Sequence, residues 1–475
     1  MINSKSSKHA RPGGKERPTG DHWWPTHILS RILRPWDMQP FMELREASRE
    51  ASMRVLTIGF SDVKGGAAIA SSRLIEKLGK RGDMATIHLV GRQQGADLRT
   101  ISLDRAHRFI VWRQFRKALA AWNVARSDPY GWMPFETAYV RRILDIWQPQ
   151  VIHLHNLHGG WGTVPPPALE LLAAHAPVVW TLHDMWAATG HCAYSLGCER
   201  WREGCGQCPD LSLYPSMWRD RTRVVVEKRK RIFGKARPVM ITPSRWLRDV
   251  ALDAHATRDL DVRVIPNGVD LAVFNPAGRT AARERLGIAQ DRPVLMFAAE
   301  TLDGDQRKGG RQLRAALEQV QEVRQGRALD IILMGGSGES LLRGIPGLVI
   351  HGAGFVSDAA EAAGLYAAAD LFICPSLQDN LPNTLIEAAA CGTAAAVFDA
   401  GGSGETVEHD VTGKIVPAGN APAMALAIAS LADNGTLLAQ MGRAARQRAE
   451  RLYGDELMAK QYLSLYRELI SERGQ

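Results

Sequence analysis

The sequence of 475 residues lacks any run of about eighteen apolar residues, the length that a membrane-spanning helix needs. Its polar, basic start also lacks the apolar segment that a secretory signal requires. These two absences predict a cytoplasmic protein without a membrane span. Residues 1–50 are rich in polar and basic side chains, and we predict that they form a disordered, basic extension.

Cysteine is also scarce, with six residues in the whole chain, and four of the six lie between Cys192 and Cys208. A reducing cytoplasm disfavours a disulfide framework. The last two of the four are separated by two residues, as in many zinc sites, whereas the other two spacings are not diagnostic. A disulfide or redox pair, free thiols and an iron–sulfur cluster are the alternatives to zinc. The predicted ligands of one structural zinc ion are Cys192, Cys198, Cys205 and Cys208.

No nucleic-acid motif accompanies the basic residues, although the formal net charge is +9. Helix-turn-helix, RNP-like and zinc-finger spacings are all missing, so we predict no nucleic-acid partner. Residues 104–122 instead mix Arg and Lys with Phe, Ile, Leu and Trp at helical spacing. This pattern predicts a helix that lies on the anionic inner surface of the plasma membrane, and an ordinary surface helix packed on a sheet is the alternative.

A chain of this length exceeds what one hydrophobic core usually supports, so we expect two domains. Strand-like runs alternate with helical segments from Met53 onward, and a second series of this kind begins near Asp261. Such alternation predicts an α/β protein with two Rossmann-like, doubly wound domains that face each other across a cleft. The predicted units are domains at 51–255 and 256–452, a cysteine-rich insertion at 190–209, and a C-terminal helix at 453–475 that packs back on the first domain.

Polar and glycine residues follow several of the predicted strands. Gly65 and Gly66 come after the first strand, and without side chains they let the backbone approach a phosphate closely. His183 and Asp184 come after the strand APVVWTLHD. Because ligands gather at the carboxyl ends of parallel strands, these four residues mark the first-domain half of a predicted site.

The segment CPSLQDNLPNTLIEAAACG places Asp379 and Glu387 on a strand end and the following helix, with seven residues between them. At this point the sequence resembles the retaining glycosyltransferases of family four, whose pattern is E-x7-E and whose two-domain fold is called GT-B. The motifs VIPNGVD, ILMGGSGE, HGAGF, FDAGGSGETV and GKIVP follow the family order, so the resemblance covers residues 53–450. The cysteine-rich insertion is similar to that of the colanic-acid type of exopolysaccharide transferases.

The resemblance implies how a nucleotide-sugar donor binds. Glu387 would accept hydrogen bonds from the ribose hydroxyls. Lys308 would bind the diphosphate, and Arg307 would replace the family's second cation, because Asp303 stands where the family has an arginine. The other donor-binding candidates belong to the glycine-rich motifs or lie beside Asp379, and they are Gly65, Gly66, Asn267, Gly335, Gly336, Asn380 and Leu381.

The resemblance also implies the reaction. His183 and Asp379 would lie near the transferred sugar, and Asp184 would orient the imidazole or contact the acceptor. We recognise no Asp-x-Asp pair at a strand end, so we predict metal-independent, retaining transfer of a sugar to a lipid-linked exopolysaccharide or cell-surface glycan. A nucleotide-sugar epimerase of the same fold and a non-catalytic nucleotide-sugar-binding protein are the alternatives.

Overall fold

The fold is described here from a computed structural model of the protein. The residues that the structure describes are 39–49, 51–63, 65–95, 99–103, 110–128, 134–158, 168–301, 305–336 and 338–474. Most of the predicted extension, residues 1–38, and residues 104–109 of the predicted basic helix lie outside these ranges.

The first sheet contains seven parallel strands in the order β3-β2-β1-β4-β5-β6-β7. The order reverses between β1 and β4, where Val55 pairs with Val151. Every residue of β4, β5 and β6 is buried, as expected for a parallel sheet covered by helices on both faces. The strands are Met53–Ser61 (β1), Met84–Arg92 (β2), Thr100–Ser102 (β3), Val151–Leu154 (β4), Val178–Thr181 (β5), Val239–Thr242 (β6) and Val262–Val264 (β7).

The second sheet contains six parallel strands in the order β10-β9-β8-β11-β12-β13. Its order reverses between β8 and β11, so each sheet has one crevice at the carboxyl ends of its two central strands. The strands are Val294–Thr301 (β8), Leu329–Gly336 (β9), Leu348–Gly354 (β10), Leu371–Cys374 (β11), Ala394–Asp399 (β12) and Gly413–Pro417 (β13). Two doubly wound α/β domains confirm the predicted fold class.

Helices cover both faces of each sheet. In the first domain they are Gln39–Ala47 (α1), Gly66–Gly79 (α2), Ile110–Ala125 (α3), Pro134–Trp147 (α4), Leu169–His175 (α5), Thr222–Ala236 (α6) and Arg245–Asp253 (α7). In the second they are Arg279–Leu286 (α8), Gly310–Val323 (α9), Gly338–Leu342 (α10), Ala359–Ala368 (α11), Asn383–Ala390 (α12), Ala421–Ala432 (α13) and Gly435–Leu452 (α14).

The last helix, Asp455–Gly474 (α15), returns to the first domain. Its buried side chains Met458, Tyr462 and Tyr466 join one apolar cluster with residues of β1, α2 and β4. The end of the chain therefore covers the first sheet and connects the two domains a second time.

Two predicted boundaries need correction. The start of the run VRVIPNGVD, Val262–Val264 (β7), belongs to the first sheet, because Met240 of β6 pairs with Val262, so the first domain extends beyond residue 255. Val269, near the end of the run, is buried in the second-domain core. Residues 39–47 of the predicted disordered extension form α1, whose Phe41 is fully buried with its ring 6.2 Å from that of Tyr139. The buried Phe41 ring packs the helix against α4, which carries Tyr139.

Among the described residues, no single helix is both long and apolar enough to cross a membrane. One pair of helices, α13 and α14, passes the same test together, by length and composition only, with a bend of 104° between them.

Candidate active site

The carboxyl ends of strands from the two sheets face each other and are joined by a hydrogen-bonded asparagine. Asn380, which follows β11, donates from its side chain to the backbone oxygens of Leu182 (3.3 Å) and His183 (3.1 Å) after β5. Ser244 of the first domain donates to the side-chain oxygen of Asn380 at 2.5 Å. The side chain of this predicted donor-binding residue thus holds the two domains together.

Asp379 lies between two cations. Its Oδ2 atom is 2.7 Å from Lys308 Nζ and 3.0 Å from an Arg307 guanidinium nitrogen, and its Oδ1 accepts from the backbone N–H of Asn380. Burial alone would raise the pKa of Asp379, but Lys308 and Arg307 lower it to about 2. The carboxylate is therefore ionised at neutral pH, and the two predicted phosphate-binding side chains point to the same place.

A short turn positions these cations. Gln306–Lys308 form a single 3-10 turn, and Asp305 caps it by accepting from the backbone N–H of Arg307 at 3.0 Å and from its guanidinium at 2.9 Å. Gly309 ends the turn with φ of +71°, and a Cβ atom there would lie 1.8 Å from the backbone oxygen of Pro375. Only glycine allows the turn to approach the end of β11 so closely.

The second predicted carboxylate, Glu387 of α12, is paired across the cleft. Its Oε1 accepts from Arg73 of α2 at 2.6 Å, and its Oε2 accepts from the hydroxyl of Tyr366 at 2.9 Å. The Arg73 guanidinium also lies over the ring of Phe274, 5.3 Å from its centre. Burial, followed by the charge of Glu387, raises the pKa of Tyr366 well above its ordinary value, so this hydroxyl stays a donor.

On the first-domain side, His183 belongs to a stack of imidazoles. Its Nε2 atom is 3.0 Å from Nδ1 of His155, and the two rings are stacked with their centres 5.3 Å apart. Burial lowers the pKa of His183 to about 4, although the Asp184 carboxylate opposes the shift. His183 is therefore neutral at physiological pH. Because its Nε2 atom is engaged in the hydrogen bond with His155, Nδ1 is the ring nitrogen left to face the cleft.

The stack continues away from the cleft to the C-terminal helix. His153 contacts the Thr181 hydroxyl at 2.7 Å and the Tyr466 hydroxyl at 2.7 Å, and Tyr462 contacts the same threonine at 2.7 Å. Burial lowers the pKa of His153 to about 3. The polar atoms of His153 and Thr181 are thus satisfied by tyrosines that α15 brings back to the first sheet.

Asp184, predicted to orient the His183 imidazole or to contact the acceptor, has its carboxylate hydrogen-bonded to groups other than His183. His158 donates to it from Nε2 at 2.8 Å, and the backbone N–H of Trp186 donates at 2.8 Å. Burial alone would raise the pKa of Asp184, but His158 lowers it below its ordinary value. The hydrogen-bond partner of the His183 imidazole is His155, and the acceptor contact of Asp184 stays a prediction.

The remaining predicted donor residues have varied surroundings. Asn267 donates to Asn383 at 3.0 Å, and Asn383 donates to the backbone oxygen of Gly66, so these groups also connect the domains.

Leu381 is buried in the second-domain core. A Cβ atom at Gly335 would lie 1.7 Å from the Ala299 oxygen, so this glycine is needed for strand packing. The Cβ position of Gly65 is open, and Gly336 ends β9.

The four clustered cysteines have free thiols. Burial, together with the neighbouring thiols, raises the pKa of Cys192 to about 12, and burial raises that of Cys205 to about 11. Cys208 Sγ is 3.3 Å from His191 Nε2. Within the described ranges, no three or more His, Cys, Asp or Glu side chains are arranged to hold a metal ion. The zinc site accordingly stays a prediction from spacing.

Several residues of the site were not identified in the sequence. His155 and His158 follow β4 in the run HLHNLH, and a run of polar residues at a strand end is a signal that would have found them. Arg73 and Tyr194 carry no such signal, because they reach the site from a helix and an insertion far away in the chain. Tyr366 lies only 21 positions before Glu387, but it is on a helix and does not follow a strand end.

Two facing parallel sheets, with paired carboxylates and cations at their carboxyl ends, are the architecture of the GT-B class of nucleotide-sugar enzymes. Residues 64–273 match the family model for Glycosyltransferase Family 4, and residues 292–434 match the model for Glycosyl transferases group 1. The chain therefore belongs to the glycosyltransferases that these two models, family 4 and group 1, describe together, and it has the GT-B fold.

Relatives and solved structures agree with this assignment. The chain is 29% identical over 370 residues to the putative colanic acid biosynthesis glycosyl transferase WcaC of Escherichia coli K12, an alignment that covers 74% of this chain and 84% of the relative. Sucrose-phosphate synthase from Thermosynechococcus elongatus aligns with a TM-score of 0.65 and 21% identity, over 88% of this chain and 100% of that chain. HepE from Anabaena in complex with UDP-glucose aligns with a TM-score of 0.59 and 17% identity, with the same coverage.

Proposed function

We propose that this glycosyltransferase moves a sugar from a nucleotide-diphosphate donor to a glycan acceptor with retention of the anomeric configuration. The observation that carries the proposal is the cation pair of Lys308 and Arg307 beside β11, opposite His183 and on the same side as Glu387. A diphosphate needs cations and a ribose needs a hydrogen-bond acceptor. The protein supplies the cations and the acceptor from side chains that are held in place by the fold.

Donor binding would exchange partners rather than create charges. The diphosphate would replace Asp379 as the partner of Lys308 and Arg307, and Asp379 would turn to the sugar hydroxyls. The ribose hydroxyls would replace Arg73 at Glu387. These charged groups are already oriented before the reaction. The free-energy cost of reorganising them would therefore be small when the leaving diphosphate gains negative charge.

Retention needs the acceptor hydroxyl to attack from the side that the diphosphate leaves. We propose that the leaving phosphate takes the acceptor proton, as the family resemblance implies. The neutral imidazole of His183 would then hydrogen-bond a hydroxyl of the transferred sugar, a role for which a pKa of about 4 keeps it uncharged. Product analysis by NMR of the new anomeric centre tests retention, and an inverted product would overturn it.

The proposed chemistry needs no divalent metal. Contrary to the prediction from sequence, one Asp-x-Asp sequence, Asp303 to Asp305, does follow the strand β8. The carboxylate of Asp305 is occupied by the backbone and guanidinium of Arg307, so it supports the phosphate-binding turn. Transfer should therefore continue in EDTA, and loss of activity that manganese or magnesium restores would overturn this part of the proposal.

For the acceptor, we propose an anionic lipid-linked glycan at the inner membrane surface. A surface cavity of about 550 Å³ in the first domain supports this, and it is lined by Trp122, Ala125, Arg126, Arg219 and Arg221. Trp122 and the neighbouring Trp218 are exposed. Within the described part of the chain, none of the three guanidinium groups is paired with a carboxylate. Arginine with exposed tryptophan suits a phosphate at a membrane interface.

Liposome co-sedimentation tests this assignment. The protein should bind vesicles that contain phosphatidylglycerol, bind neutral vesicles weakly, and dissociate as salt screens the exposed charges. Arg219→Gln with Arg221→Gln should reduce binding several-fold, whereas Arg327→Gln, an exposed arginine of the second domain, should not. Equal sedimentation with neutral vesicles would contradict the proposal.

We also propose that the four clustered cysteines bind one structural zinc ion. Their place within seventeen residues of one another supports the proposal, and burial, followed by the neighbouring thiols, raises the pKa of Cys192, a shift that a bound divalent cation would oppose. Elemental analysis of protein purified without added metal should give about one zinc per chain. A much lower value, with all four thiols reactive in the native protein, would exclude the site.

A donor panel is the direct test of the main proposal. Thermal shift with UDP-, GDP- and dTDP-sugars should find a donor that raises the melting temperature, since a ligand stabilises the folded state by mass action. That donor should be hydrolysed slowly, and Glu387→Ala should lose binding while remaining folded. Formation of an epimer without hydrolysis would favour the epimerase, and binding without any turnover would favour a sensor.

A further inference from the structure

We infer that the cysteine-rich insertion forms part of the donor site, and that its Tyr194 is a positioning residue for the phosphate-binding Arg307. The Tyr194 ring lies against the guanidinium, with the Arg307 Cζ atom 4.3 Å from the ring centre. This distance is within the range of a cation–π interaction, which strengthens when both groups are removed from water. The inference rests on the proposed role of Arg307 in binding the donor diphosphate.

The Tyr194 hydroxyl reaches both sides of the cleft. It lies 3.4 Å from Oδ1 of Asp379 and 3.5 Å from the backbone oxygen of His183, and it is the donor in both contacts. Burial, followed by the charge of Asp379, keeps the pKa of Tyr194 well above its ordinary value, so the hydroxyl remains protonated. One tyrosine thus contacts the cation, the carboxylate and the strand end that the reaction would use.

The backbone of the insertion fixes this tyrosine. Ala193, the preceding residue, donates to the Tyr214 oxygen at 2.7 Å and accepts from Met185 at 2.8 Å. After Tyr194, the backbone N–H of Leu196 donates to the Gln378 side chain at 2.7 Å, next to Asp379. The insertion is therefore bonded to the first domain on one side of Tyr194 and to the second-domain site on the other.

Tyr194 would matter most when the donor is bound. Asp379 and Asp305 both contact the Arg307 guanidinium, but the proposed exchange moves Asp379 to the sugar. Asp305 and the backbone oxygen of Gln378 still hold the edges of the guanidinium, and the Tyr194 ring is then the contact that restrains its face. A restrained guanidinium keeps two N–H groups aimed at the phosphate, which is the advantage of arginine over lysine.

Two substitutions separate the ring from the hydroxyl. Tyr194→Phe keeps the ring and should leave the dissociation constant for UDP, GDP or dTDP, whichever the wild-type protein binds, within about twofold. Tyr194→Leu removes the ring and should raise that constant about tenfold, which corresponds to about 1.4 kcal/mol. Leu196→Ala is the matched control, since it truncates an exposed side chain of the same insertion and keeps the N–H that contacts Gln378.

The readouts are isothermal titration with the nucleotide and the melting temperature of each variant. If Tyr194→Leu does not fold, Tyr194→Met, which refills more of the space, takes its place in the comparison. Unchanged nucleotide binding in the folded Leu or Met variant would overturn the inference, as would an equal loss in the Phe variant. Failure of the wild-type protein to bind any of UDP, GDP and dTDP would instead count against the proposed function itself.

Discussion

The two halves of the active site differ in charge. The second domain contributes two carboxylates and two cations, namely Asp379, Glu387, Lys308 and Arg307, and Asp379 lies within 3.0 Å of both cations. The first domain contributes mainly neutral groups, the imidazoles of His183 and His155 and the hydroxyl of Tyr194. Its charged contributions include Arg73, which pairs with Glu387, and the Asp184 carboxylate, which is hydrogen-bonded to His158.

This difference suits the two domains to different parts of the substrate. In the proposed reaction, charged groups on one sheet would recognise the charged part of a nucleotide sugar, and their mutual pairing offsets part of the cost of burying them. Neutral hydrogen-bonding groups on the other sheet would leave the transferred sugar in surroundings whose charge does not change near neutral pH. Each half can be tested separately, and so can the Arg73–Glu387 ion pair that connects them.

The largest effect that we predict is acid destabilisation caused by the neutral half. Burial keeps the pKa of His153 at about 3 and that of His183 at about 4, and it holds His155 well below its ordinary value. The unfolded chain binds protons at about pH 6.5, so the free energy of unfolding falls as the pH drops from 6.5 toward 4. The contribution of these histidines to the free energy of unfolding is complete above pH 6.5. Below that pH, the contribution of each histidine falls by roughly 1 kcal/mol per pH unit.

Urea unfolding at several pH values between 7 and 4.5 measures this slope. His153→Gln should reduce the slope by about one histidine's share, because Gln can keep hydrogen bonds to Thr181 and Tyr466 without taking up a proton. A pH-independent free energy of unfolding across this range would show that these imidazoles are not kept neutral by the fold.

In the charged half, Lys308→Ala should reduce the rate of sugar transfer roughly 100-fold. The substitution removes a charge-assisted hydrogen bond to the diphosphate, worth up to about 3 kcal/mol, and leaves Asp379 with Arg307 as its one close cation. Lys414→Ala is the matched control, since Lys414 pairs with Asp410 on the surface of the same domain. Similar rates for the two variants would remove Lys308 from the donor site.

The charged half was also the easier one to predict from sequence. Asp379 and Glu387 lie on one strand–loop–helix unit, so their spacing alone places both side chains on one edge of the sheet. Alternating strands and helices likewise fixed the fold class. The position of β7 was harder to assign, because a short strand between two domains can pair with either sheet and its own sequence does not decide which.

The neutral half depends on contacts between distant parts of the chain. Tyr194 and Asp379 are 185 positions apart, Arg73 and Glu387 are 314 apart, and Tyr466 and His153 are 313 apart. Local spacing carries no information about such pairs. Adjacency in the chain was also a poor guide for Asp184, whose charge acts on the His183 imidazole but whose carboxylate is hydrogen-bonded to His158.

The smallest predicted effect concerns the ion pair that connects the halves. If Arg73 belongs to the closed cleft rather than to the donor site, its guanidinium competes with the ribose hydroxyls for Glu387. Arg73→Gln should then tighten binding of the nucleotide about threefold, because the carboxylate keeps one donor, Tyr366, and gains access to the ribose. The same variant should melt at a lower temperature without ligand, since a partly buried carboxylate loses its cation. Lys80→Gln, which breaks an exposed pair on the same helix, should change neither quantity. Weaker nucleotide binding by Arg73→Gln would instead place Arg73 among the donor contacts, and the division between a charged and a neutral half would then no longer follow the boundary between the domains.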